Sequence, residues 1–177
     1  MNRVLPPFKL LLLIALAALV PKARAQSMLE SLRAGWSTYV FVSTSMPRTA
    51  IVDLARESSR AHATLVFRGF PQADGAAGRP VDFQALELFV ARINAECCKG
   101  SNASWMVDPR LYDRYGVRAV PSFVVAWGES AKPQDFSRVD GDMALANALK
   151  FFAQQSAIPG IRSRAADVYS SAFGGHS

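Results

Sequence analysis

The stretch "VDPRLYDRYGVRAVPSFVVAW", Val107 to Trp127, decides the fold. Asp108 is a side-chain acceptor of the kind that caps helices. Pro109 follows it, and proline suits a first helical position because the N–H it lacks would have no partner there. "DPRLYDRYGV" therefore reads as a short helix. "VPSFVVAW" (120–127) is apolar and β-branched, so it reads as a strand that begins with a proline. Such a proline can simply open an edge strand.

Working outward, "SWMV" (104–107) is a short strand ahead of that helix. Further upstream, "STYVFVS" (37–43) reads as a central strand, followed from Pro47 by a helix that sets Ile51, Leu54, Ala55 and Ser58 on one face. "ATLVFR" (63–68) is a second apolar strand, and the Gly- and Pro-rich loop "GFPQADGAAGRP" follows it. Phe83, Leu86, Phe89, Val90 and Ile93 recur at helical spacing up to the stop "KGSN". Downstream, "DFSRVDG" reads as an edge strand. "DMALANALKFFAQQ" (142–155) reads as an amphipathic helix with Leu145, Leu149 and Phe152 inward. "AQSMLESLRAGW" fits a short lead-in helix, and "SSAFGGHS" is small and polar enough to stay unstructured. The order β-α-β-α-β-α-β-β-α implies an α/β fold with a mixed sheet covered by helices, its last two strands antiparallel.

The N-terminus carries an address. "MNRVLPPFK" is basic, "LLLLIALAALV" apolar, and Ala23-Arg24-Ala25 offers a small-x-small cleavage site before Gln26. The apolar run falls short of the roughly 20 residues of a spanning helix. Export through a cleaved signal is expected, with an uncleaved anchor as the other reading. Of the net charge of +6, four units are Arg3, Lys9, Lys22 and Arg24, so +2 remains once residues 1–25 are removed. Such a chain has no electrostatic case for nucleic acid. The expected organisation is a signal peptide (1–25), a lead-in segment (26–36), one domain (37–157) and a flexible tail (158–177).

The element order, with Val120-Pro121 opening a strand just after a short helix, resembles the thioredoxin fold. That likeness implies a three-layer sandwich in which Pro121 is a cis-proline facing the start of the first helix. Met46-Pro47-Arg48-Thr49 then stands where periplasmic oxidoreductases of that fold carry C-x-x-C. More closely, "FVSTSMP", "LVFRGF" and "VDPRLYDRYGVRAVPSFVV", in that order, are similar to the TrbC family of F-type conjugative transfer systems. The resemblance spans most of Tyr39 to Trp127. It implies a signal-bearing periplasmic pilus assembly protein working beside other transfer components, notably a TraW-type partner.

Thiol–disulfide exchange requires a thiolate, and neither Met46 nor Thr49 can supply one. A hydroxyl nucleophile among Ser43, Ser45 and Thr49 would need a base. His62 lies at the far end of the first helix and His176 in the tail, although a lysine or carboxylate base stays open. The plainer reading has Ser45 capping the helix and Pro47 stiffening its first turn. Arg48 opposes the helix dipole by about 0.3–1 kcal/mol, a hint of service to a partner or an anion. Ser45, Met46, Pro47, Arg48 and Pro121 form the candidate partner-binding set.

Cys97 and Cys98 admit three readings: reduced and partly buried, a vicinal disulfide switch, or a bridge to a second chain. Adjacent Cα atoms sit about 3.8 Å apart, below the roughly 4.4–6.8 Å of a relaxed bridge. Two scattered histidines and this pair make no four-ligand metal set. "GAAG" (75–78) lacks a phosphate-loop pattern, so no cofactor is expected. The function expected is a non-enzymatic scaffold for pilus assembly, without catalytic residues. A thiol oxidoreductase using Cys97 and Cys98 and a general peptide chaperone are the alternatives.

Overall fold

A computed structural model describes residues 35–70, 83–128 and 132–175. Five strands form one sheet: β1 (Trp36–Val42), β2 (Thr64–Phe67), β3 (Ser104–Val107), β4 (Ser122–Trp127) and β5 (Phe136–Asp140). Their order is β3-β2-β1-β4-β5. β1 is parallel to β2 and β2 to β3, while β4 runs antiparallel to both β1 and β5. The helices are α1 (Arg48–Ala61), α2 (Phe83–Cys97), α3 (Pro109–Arg114), α4 (Leu145–Gln155) and α5 (Pro159–Phe173). This is the mixed α/β architecture expected, and it is compatible with a thioredoxin-like sandwich.

β1 is central because both of its faces are apolar. Val40 and Val42 point into a large core with Ile51, Leu54, Ile93, Leu145 and Phe152. Phe41 points the other way, onto Leu111, Tyr112 and Tyr115. The helical faces read from spacing hold: Ile51, Leu54, Ala55 and Ser58 of α1 and Leu145, Leu149 and Phe152 of α4 are buried. Phe83 is the exception. It opens α2 at 61 % exposure against Phe70, before the inward stripe begins at Leu86. Asp108 caps α3 as expected, accepting from Arg110 N–H at 2.9 Å.

The expectation of a flexible tail from residue 158 is corrected. Residues 159–173 form α5, which buries Ile161, Ala165 and Val168 and packs mainly on α4, with contacts to α1 and β4. Pro159 opens it, and Gly160 admits the Trp36 ring, which would stand 3.2 Å from an added Cβ. "SSAFGGHS" is likewise helical as far as Phe173. The signal, the lead-in helix up to residue 34 and the loop around "GAAG" lie outside the described residues.

Candidate functional site

β1 delivers the chain to Ser43, and four residues pass before α1 begins at Arg48. Ser43 and Ser45 hydroxyls bond each other at 2.8 Å, and Ser43 Oγ accepts from Ser45 N–H. Ser45 therefore does not cap the helix. The N-cap residue is Pro47, with no side-chain cap, and Ser45 lies two residues too early. Met46 is half-buried, packed on the core with its sulfur 3.4 Å from Ser43 N. Thr49 lies within α1, one residue past its start. His62 sits at the opposite end of α1, fourteen residues on, or about 21 Å away at helical rise. It cannot serve these hydroxyls.

The Val120-Pro121 peptide is cis. The β1–β4 ladder ends at Phe41 opposite Ser122, which sets Pro121 beside Val42 just ahead of the α1 entry loop. Strand β5 holds this turn in place. Gly141 N–H donates to Pro121 carbonyl (3.1 Å), and Ser122 Oγ lies 2.6 Å from Ala119 carbonyl and 2.7 Å from Asp140. Arg138 pairs with Asp140 and donates to the carbonyls of Tyr115 and Gly116. Gly116 takes φ 63°, a left-handed value that disfavours a side chain.

Between these two loops lies an open groove at the carboxyl end of β1 and β2. It is lined by Ser43, Thr44, Arg68, Gly69, Tyr112 and Arg118–Val120, among others. Ligand crevices of α/β sheets lie at this edge. Its floor is fixed by Tyr112, whose hydroxyl lies 2.8 Å from Val42 carbonyl and 2.9 Å from Val66 carbonyl. Burial pushes the phenol up to about 12, against the lowering effect of the Arg68 backbone and of its guanidinium above the ring. Asp108 behaves oppositely. Burial pulls its carboxyl up, but Arg110 and Arg114 together hold it below the ordinary value.

The candidate set thus divides. Ser45, Pro47 and Arg48 are exposed, whereas Met46 and Pro121 turn inward. None of the five lines the groove. Arg48 is not a free cation: its guanidinium engages Glu96, near the end of α2, through both a short contact and an Nε bond of 3.3 Å. That pair answers the unfavourable position of Arg48 in the first turn. The sequence reading did not place the groove wall, although "LVFRGF" and "RYGVRAV" supply it, because both served there for strand, helix and family resemblance and not for a site.

Cys97 and Cys98 are joined to each other by a disulfide, the pairing of the vicinal reading. The bridge closes the C-terminal end of α2. Among the described residues no group of side chains has the makings of a metal site, and no helix is long and apolar enough to cross a membrane.

A family model described as type-F conjugative transfer system pilin assembly protein matches residues 40–152. The match runs from β1 into α4 and takes in both the groove and the disulfide. No curated protein and no solved structure matches the chain.

Proposed function

The chain belongs to the family of type-F conjugative transfer system pilin assembly proteins, and from that premise we propose that it works in the periplasm as a non-enzymatic assembly factor. Involvement in pilin assembly, beside other transfer proteins, follows from the family. The proposal adds the mode of action: the loop Ser43–Arg48 and the turn Arg118–Val120 hold an extended segment of a partner and perform no exchange on it. The reading includes export by a cleaved signal and a TraW-type periplasmic component as the partner held.

One observation carries the proposal. The α1 entry loop stands beside the Pro121 turn and an open groove, yet its side chains between Ser43 and Thr49 include no thiol. Without a thiolate the position can bind but cannot exchange. The groove is open and lined by Ser43, Thr44, Gly69 and Ala119 among others, small residues that leave room for an extended chain, which is recognised mainly through main-chain hydrogen bonds.

Co-purification with a TraW-type partner tests it. Wild type is expected to retain the partner, and the exposed-loop variant Ser45→Arg/Pro47→Glu is expected to lose it while staying folded by circular dichroism. A disulfide-reductase assay is expected to show no turnover. Sustained turnover that disappears in Cys97→Ala would replace this reading with the oxidoreductase one.

A further inference from the structure

A second groove opens beside the disulfide, between α1 and the end of α2. Four charged side chains border it: Arg56, Arg60, Glu96 and Lys99. Two of these are already spent, since Arg56 pairs with Asp53 at 2.6 Å and Glu96 engages Arg48. Arg60 and Lys99 are exposed and have no ion-pair partner among the described residues. The rim therefore carries two uncompensated positive charges. Below it each cysteine keeps only 9 % exposure.

We infer that Cys97–Cys98 is a thiol-exchange site addressed by small anionic thiols. Three features argue for that class. Attack on a disulfide comes from a thiolate, and a positive rim concentrates anionic molecules at the groove. The depth of the bridge favours a small molecule over the flat face of a protein reductase. The bridge is also a poor structural staple, because residues one apart enclose almost no loop and constrain the unfolded chain little.

A thiolate RS⁻ attacks one cysteine sulfur, the S–S bond breaks, and its electron pair leaves on the other sulfur, which takes a proton from water. A second RS⁻ attacks the R-bearing sulfur of the mixed disulfide, releasing RSSR and the remaining cysteine thiolate, which is also protonated. Two thiols are oxidised to one disulfide while the protein gains two electrons and two protons. The change is stoichiometric and stands independently of the pilin-assembly role.

Asn94 gives the reaction a built-in reporter. Its carbonyl accepts from Cys98 N–H at 3.0 Å and faces Cys97 Sγ at 3.8 Å, and its side chain accepts from Trp105 Nε1 at 3.0 Å. Opening the bridge should therefore alter Trp105 emission, and the variant Trp105→Phe should remove that signal.

The test uses the purified full chain with glutathione as the anionic thiol and cysteamine as the cationic one, compared at equal thiolate concentration. Intact mass after iodoacetamide is expected to show no adduct before reduction and two after it. Wild type should react faster with glutathione. Arg60→Glu/Lys99→Glu, altered only at exposed side chains, should lower the glutathione-to-cysteamine rate ratio by about 10-fold at low salt, with the effect fading as salt rises. An unchanged ratio would overturn the inference. So would alkylation without reductant, or a disulfide-linked dimer in place of the internal bridge.

Discussion

Two helix ends meet at the Arg48–Glu96 pair, and they divide the requirements for thiol chemistry between them. The start of α1 has the location, beside the cis-proline and a groove, but offers Ser43, Ser45 and Thr49. The end of α2 has the sulfurs, but at the helix terminus whose dipole disfavours a thiolate, and beneath the surface. Location and reactive group are thus separated within one small domain. On the reading proposed above, the start of α1 serves to bind, and the end of α2 exchanges only stoichiometrically.

The most forceful way to break this comparison is to restore thiols to the better place. Met46→Cys/Thr49→Cys should gain disulfide-reductase activity about 10-fold or more above wild type in a standard turnover assay, since a helix N-terminus favours the thiolate. No gain would mean that the entry loop lacks the geometry as well as the groups.

Smaller effects sharpen the comparison from the groove side. Tyr112→Phe removes the buried hydroxyl shared by the Val42 and Val66 carbonyls and should cost about 1–3 kcal/mol in urea unfolding. Tyr112 also gives a pH signature. Its folded-state value of about 12 lies above the ordinary phenol value of 10.0, so the folded protein holds that proton more tightly. Its contribution is complete below pH 10 and is lost as pH rises toward 12, because there the native state binds more protons than the unfolded one. Wild-type stability should fall through that window by more than that of Tyr112→Phe. At the small end, Arg48→Ala should cost no more than about 1 kcal/mol, since both partners of the pair are about half exposed. A double-mutant cycle with Glu96→Ala measures that coupling.

Sequence reasoning reached the sheet because its signals were strong and local. β1 and β4 are runs of β-branched and aromatic residues, and Asp108-Pro109 announced α3. α5 escaped because its inward stripe, Ile161, Ala165 and Val168, is thin and interleaved with small polar residues. Its Pro159 start and i, i+4, i+7 spacing were nonetheless present. Ser45 was placed in the right loop but given the wrong role, because the N-cap falls at Pro47. Arg48 and Glu96 are forty-eight positions apart, so only the tertiary fold could pair them. The tertiary cap of α4, where Glu57 accepts from Leu145 N–H at 2.5 Å, was hidden for the same reason.

The claim at the centre is that the α1 entry loop, and not the cysteine pair, carries the assembly role. Conjugative transfer in a strain lacking this chain, complemented by variants of equal abundance, tests it most directly. Cys97→Ser/Cys98→Ser should restore transfer to the wild-type level. Ser45→Arg/Pro47→Glu should leave it reduced roughly 30-fold or more, the scale of a lost binding hot spot. Full transfer with the loop variant, or its loss in the cysteine-free chain, would contradict the account.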